Sequence, residues 1–175
     1  MKRLDWLKAA PPVAHALFGL QKAVNDSGLE PALLELVKMR ASQLNGCAYC
    51  IDMHTKDARA AGETEQRLYL LDAWREAEHL YSDRERAALA WTEALTLVTE
   101  GHCPDPVYEQ AHAQFSDAEM VRLTLAIIAI NGWNRLNIGF RTPAGDYVPG
   151  MFKSGAGEGL SGLRTSTAHS KGGSS

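Results

Sequence analysis

The chain has no apolar run long enough to cross a bilayer. Its most apolar stretch, LTLAIIAI at 123–130, falls far short of the roughly 20 residues a transmembrane helix needs. A signal-peptide core is missing too: MKRLDWLKAAPP carries two early cations with no apolar run behind them. Basic charge is not in excess. With 18 Lys and Arg against 21 Asp and Glu the net charge is −3, which leaves no electrostatic footprint for nucleic acid. Cysteine is scarce. Three cysteines cannot build the disulfide framework of a small secreted domain. Period-2 alternation, the mark of half-buried strands, is almost absent. These absences predict a cytoplasmic protein with no membrane and no nucleic-acid partner.

What is present is ordinary globular composition, 45% hydrophobic and 22% charged over 175 residues, enough for one domain with a sizeable core. The pattern reads as helices joined by short punctuation, so the predicted fold class is all-α. DWLKAAPPVAHALFGLQKAVNDSG suggests a short helical opening, a Pro-Pro interruption, and a helix ending at Asn25–Gly28. From Pro31, Leu33, Leu34, Val37, Ala41 and Leu44 recur at helical spacing, with Leu36 and Met39 on another face. A helix apolar on more than one face is buried on several sides or meets another subunit.

Asn45-Gly46 then punctuates, and a helix from Cys47 to Ala61 follows, closed by Gly62. ETEQRLYLLDAWREAE predicts a further helix. Ser82 and Glu85 form a capping box for the next, whose apolar stripe is Ala88, Trp91, Leu95 and Val98. Asp105-Pro106 reads as N-cap and first helical residue, and Ser116 with Glu119 caps a very apolar helix over 117–131. Asn131, Asn134, Asn137 and Arg135 read as helix termination and interface hydrogen bonding. Trp74, Trp91 and Trp133 are assigned to core or interface, and the charge-rich stretch 63–86 to a solvated face. Residues 1–152 form the predicted domain. In 153–175, twelve of twenty-three residues are Gly or Ser and none is Phe, Trp or Tyr, so a disordered tail is expected there.

The chemistry concentrates in LNGCAYCIDMH, residues 44–54. Two cysteines at C-x-x-C spacing on a first helical turn approach closely enough to pair. The unpaired amides of that turn favour a thiolate. His54, four residues after Cys50, lies on the same helical face one turn along, where it can take or hold the thiol proton. Glu35, twelve residues before Cys47, is a carboxylate that can orient the imidazole from the preceding helix, although spacing alone does not single it out. Two other readings compete. The cysteines can be two small buried hydrophobes. They can join His54 as three zinc ligands, but only His102 and Cys103 are candidates for a fourth, so no bound metal is expected. Cys103 has no partner spacing and reads as a loop thiol.

Glu35 followed by GCAYCIDMH resembles the E-x11-C-x-x-C-x-x-x-H signature of the AhpD-like alkylhydroperoxidases, in the carboxymuconolactone decarboxylase superfamily. MRASQLNGCAYCIDMHTKDARAAGE (39–63) is similar to the family core, and NGWNRLNIGFR (131–141) to the closing segment of its small one-domain members. The resemblance implies a compact AhpD-like helical domain that assembles as a homo-oligomer, trimer or hexamer. It also implies hydroperoxide reduction in which Cys50 attacks the peroxide, Cys47 resolves the sulfenic acid, and Glu35 and His54 relay protons. No cofactor is implied, only an external dithiol or lipoyl-type reductant protein. One position departs: the best-known peroxidases of the family carry a histidine immediately before the attacking cysteine, where this chain has Tyr49. A tyrosine, with a pKa near 10, donates a hydrogen bond but is a poor base at neutral pH. The rivals are a carboxymuconolactone decarboxylase-like lyase or isomerase, which needs no cysteine pair, and a non-enzymatic redox-sensing oligomer.

Overall fold

The structure is a computed structural model that describes residues 1–152. Among these residues there are eight α-helices and three short 3-10 turns, and no strand. The helices are α1 (Trp6–Ala9), α2 (Pro11–Asn25), α3 (Pro31–Asn45), α4 (Ala48–Ala60), α5 (Glu65–Leu70), α6 (Asp83–Thr96), α7 (Asp105–His112) and α8 (Asp117–Phe140). None is long and apolar enough to cross a membrane. The expected tail at 153–175 lies outside the described residues.

α3 is the centre of the molecule, packed against α4, α6 and α8. Its two apolar faces serve different clusters. Leu33, Leu34 and Val37 join Ala88, Trp91, Leu123 and Ile127 of α6 and α8. Leu36 and Met39 meet Ala58, Leu71, Trp74 and Leu89 on the other side. At its C-terminal end Ala41 reaches a third, smaller cluster with Cys47, Cys50 and Ile130.

The end of α3 is closed by Gly46, whose φ of +68° is in the left-handed region. The Gly46 amide bonds to Gln43 C=O and the Cys47 amide to Ser42 C=O. This is the paired closure of a Schellman motif, for which glycine suits the left-handed residue. The chain can therefore turn and start α4 one residue after Cys47.

Both capping boxes form as the sequence predicts, Ser82 with Glu85 and Ser116 with Glu119. Ser116→Ala is expected to cost about 1 kcal/mol, read as a lower urea midpoint with unchanged slope. An unmoved midpoint would show that the box adds nothing to α8.

Five expectations need correction. The helix predicted over ETEQRLYLLDAWREAE stops at Leu70 and continues as a tight turn, Leu71–Ala73. Tertiary burial decides this: Leu71 and Trp74 are drawn into the core, and the Trp74 indole donates to Glu93 at 2.8 Å. For the same reason, 63–86 is not a simple solvated face. Arg67 lies between Glu63 and Glu85, and Tyr81 is buried.

In the α6 stripe, Ala88 and Trp91 are buried and Leu95 packs beside them, but Val98 lies beyond the helix end and is exposed. Asp105 is the first residue of α7 rather than its cap, which is Pro104. Most consequential, α8 does not end near 131 but runs to Phe140. Its carboxamides do not unwind it, because Asn131 bonds back to Ile127 C=O and its neighbours find partners on other helices.

Candidate functional site

The left-handed corner at Gly46 leaves Cys47 as the N-cap of α4, in extended backbone geometry, and Cys50 in the first turn. The two sulfurs are 2.8 Å apart and both are buried. Their surroundings are mostly apolar: Ala41 of α3, Ile130 and Trp133 of α8, and the ring of Tyr49. Trp133 stacks at a tilt on Trp6 and Phe18, so it serves the core as expected while also walling the sulfur pair.

The reduced pair is unequal. The Cys47 thiol is held down to about 7, first by its hydrogen bond with Cys50. The Asn134 carboxamide and the amides of Cys50 and Tyr49 lower it further, against the cost of burial. Cys50 is pushed up, first by that hydrogen bond and then by burial and the charge on Cys47. The hydrogen bond between the sulfurs thus drives the two thiols apart, Cys47 down and Cys50 up. The sequence had suggested activation of Cys50; the thiol that is lowered is its neighbour.

His54 is buried one turn beyond Cys50, and its Nδ1 is 2.8 Å from Glu35 Oε2. α3 and α4 pack side by side, which brings these two together across 19 residues of sequence. With Nδ1–H given to the carboxylate, Nε2 is left as the proton acceptor. Burial alone would raise the Glu35 carboxyl, but the hydrogen bond and charge of His54 and the Lys38 ammonium together bring it to about 2. Lys38 Nζ is 2.8 Å from Glu35 Oε1 and is itself buried. Glu35 is thus an obligate anion at neutral pH, and the imidazole has a fixed tautomer.

Tyr49 is half-buried against the sulfurs. Burial first, then the charges of Cys50, Asp52 and Cys47, push its hydroxyl up to about 12. It stays protonated and cannot replace a histidine as a base. Cys103 sits in a loop with positive φ and packs against the larger cluster of α3, α6 and α8, away from the sulfur pair. Neither it nor its neighbour His102 joins Cys47, Cys50 and His54 in a group of metal-ligand geometry among the described residues.

Two asparagines that the sequence assigned to helix termination take another role here, and Asp57 and Tyr147 were not singled out from sequence. Asn137 Nδ2 lies 3.5 Å from Cys50 Sγ, and Asn134 is fully buried beside both sulfurs. Asp57, one turn beyond His54, accepts the Tyr147 hydroxyl at 2.8 Å and 2.9 Å. Glu35, His54 and Asp57 place a donor atom each within 4.8 Å of one another, but Lys38 and Tyr147 already engage the two carboxylates. The segment carrying Tyr147 is tied along α4 through Lys56, which donates to the carbonyls of Gly145 and Tyr147, and through Asp52, which accepts from the Gly145 amide. A signal for Asn134 and Asn137 did exist: two carboxamides three apart in a helix, on the side of the apolar Ile127 and Ile130. What they face could not be read locally.

The sequence profile of the carboxymuconolactone decarboxylase family matches residues 11–94, the span that holds Glu35, Cys47, Cys50 and His54. YdfG of Bacillus subtilis (strain 168) is 42% identical over 137 residues, 78% of this chain and 92% of its own. A solved structure from Agrobacterium tumefaciens is of ATU0492, a protein of unknown function provisionally assigned as the antioxidant defence protein AhpD. It is 43% identical with a TM-score of 0.81, over 84% of this chain and 100% of that one. The debrominase Bmp8 has the same fold at 19% identity, with a TM-score of 0.67 over 78% of this chain and 73% of its own.

Proposed function

The chain belongs to the carboxymuconolactone decarboxylase family and has an AhpD-like fold, and on that premise we propose that it is a thiol-dependent reductase of organic hydroperoxides. One observation carries the reading: two sulfurs 2.8 Å apart at a helix start, with the Glu35–His54 pair one turn away. A lactone decarboxylase needs no sulfur pair, and a buried pair sharing one proton is what a two-electron thiol reaction uses. Bmp8 has the same fold with a different activity, so the choice of a hydroperoxide rests on the dithiol and its relay.

In the proposed cycle Cys50 passes its proton to the Cys47 thiolate as its sulfur attacks the distal peroxide oxygen. The O–O bond breaks and the leaving alkoxide takes a proton delivered through His54, giving the alcohol and Cys50 sulfenic acid. Cys47 gives its proton up through His54 and attacks that sulfur, expelling hydroxide, which takes that proton and leaves as water as the disulfide forms. The dithiol loses two electrons and the peroxide gains them. An external dithiol, of lipoyl or similar type, restores the pair by exchange; no bound metal or cofactor enters the cycle. Val121 and Ile128, exposed seven residues apart on α8, support the further proposal of a homo-oligomer.

The test is a thiol count by mass spectrometry before and after one equivalent of an organic hydroperoxide. Loss of two thiols, confined to Cys47 and Cys50 with Cys103 retained, is the expected result. No loss, or loss at Cys103, would overturn the reading.

A further inference from the structure

A sulfur buried among Ala41, Ile130, Tyr49 and Trp133 pays a desolvation penalty when it ionises. Water cannot offset that penalty at a sulfur this enclosed, so donors built into the protein must. α8 supplies two, at positions three residues apart on one face. Asn137 aims its Nδ2 at Cys50 Sγ from 3.5 Å. Asn134 is oriented by a chain of bonds that leaves one of its N–H groups for the sulfurs. Asn45 Nδ2 donates to Asn134 Oδ1 at 2.9 Å, and Asn134 Nδ2 donates to Ser42 Oγ at 3.0 Å. The Ser42 hydroxyl is itself committed to Lys38 C=O at 2.7 Å, and Asn45 is oriented by Ala41 C=O at 2.9 Å. Turning the Asn134 amide over would set donor against donor at Asn45 and acceptor against acceptor at Ser42.

We propose that Asn134 and Asn137 form a carboxamide pocket that holds the negative charge of the dithiol on either sulfur. The assignment of Cys50 as attacking sulfur rests on the function proposed above; the charge-holding role does not. Asn134 faces both sulfurs and steadies the charge wherever it sits. Asn137 faces Cys50 and is in place before the charge arrives, so proton transfer to Cys47 needs no rearrangement of dipoles. The titratable groups around the pair are Tyr49 and His54 on α4, Glu35 and Lys38 on α3, and Tyr147 of the segment tied to α4. From α8 come neutral carboxamides, Arg135 being turned to Asn131. A neutral donor stabilises a thiolate without supplying a charge that itself titrates.

The experiment titrates Cys50 by its ultraviolet thiolate absorbance in a Cys47→Ser, Cys103→Ser background, where it is the one thiol left. Asn137→Leu, near-isosteric and without a donor, is expected to raise the midpoint by about one pH unit or more. Asn137→Asp should raise it further by placing an acceptor and a negative charge on the sulfur. The aspartate keeps the native shape, so it carries the test if the leucine variant loses helix content by circular dichroism. Midpoints unmoved in folded variants would overturn the carboxamide pocket. No peroxide is used. A wild-type protein that consumes no hydroperoxide would therefore sink the peroxidase reading alone, while a working peroxidase with unmoved midpoints would sink this one alone.

Discussion

Cys50→Ser is expected to reduce hydroperoxide consumption to background, whereas Cys47→Ser should allow one oxidation and stop at a trappable sulfenic acid on Cys50. A serine hydroxyl is almost wholly protonated at neutral pH and cannot replace the attacking thiolate. In the proposed cycle, Cys50 without Cys47 keeps its place beside Asn137 and its relay through His54, but loses both its internal proton acceptor and its resolving partner. First-turn oxidation should be slower than in wild type, and catalytic turnover should cease.

The charge distribution of the resting pair makes the result informative. The Cys47 thiol is lowered and the Cys50 thiol raised, so thiolate fraction alone would favour Cys47 as the nucleophile. Attack by Cys50 requires the proton to cross the 2.8 Å between the sulfurs first. Mass spectrometry of each variant after one equivalent of peroxide and a sulfenic-acid trap decides between them. Trapping on Cys47 in Cys50→Ser, with none on Cys50 in Cys47→Ser, would reverse the roles. Damage confined to Cys103→Ser would mean that the wrong sulfurs have been named.

The relay is the second large effect. His54→Ala should lower the peroxidase rate at neutral pH by at least about tenfold, since positioned general-base assistance is typically ~10²–10⁴-fold. Glu35→Gln should cost less, because the imidazole remains and a carboxamide oxygen can still accept from Nδ1–H. Both should shift the rate against pH toward higher pH, read as dithiol alkylation or peroxide turnover. Three superimposable curves would mean that the start of α4 and the carboxamides of α8 activate the pair unaided.

Glu35 also ties catalysis to stability. Its replacement leaves the buried Lys38 ammonium without its anion, so Glu35→Gln should destabilise by about 1–3 kcal/mol, and rates need comparing well below its unfolding midpoint. The sign with pH follows from the direction of the shift. The carboxyl is lowered in the folded protein from its ordinary 4.5 to about 2. Its contribution is therefore whole above about pH 4.5 and is lost as pH falls toward 2. Glu35→Gln should flatten that acid limb of the stability profile.

What the sequence determined by itself lies within a few helical turns. Gly46 after Asn45, the two Ser-x-x-Glu boxes and Pro31 mark helix ends because caps depend on three or four adjacent residues. Cys47, Cys50 and His54 fall together because offsets of three and four residues share one face at 3.6 residues per turn. Even Glu35, nineteen residues before His54, came from family resemblance and not from spacing. Tertiary structure alone decided the rest. Burial of Leu71 and Trp74 broke a helix that local propensity would have continued. Contact with α3 and α4 allowed α8 to carry three asparagines through to Phe140. The same contact put Asn137 on a sulfur 87 residues away, and the segment after α8 brought Tyr147 to Asp57. It also lowered one thiol and raised the other in two cysteines that the sequence presents as a matched pair. Such pairings are set by which faces bury the most apolar surface over the whole chain, and a buried polar group takes its charge and its role from whatever that packing places beside it.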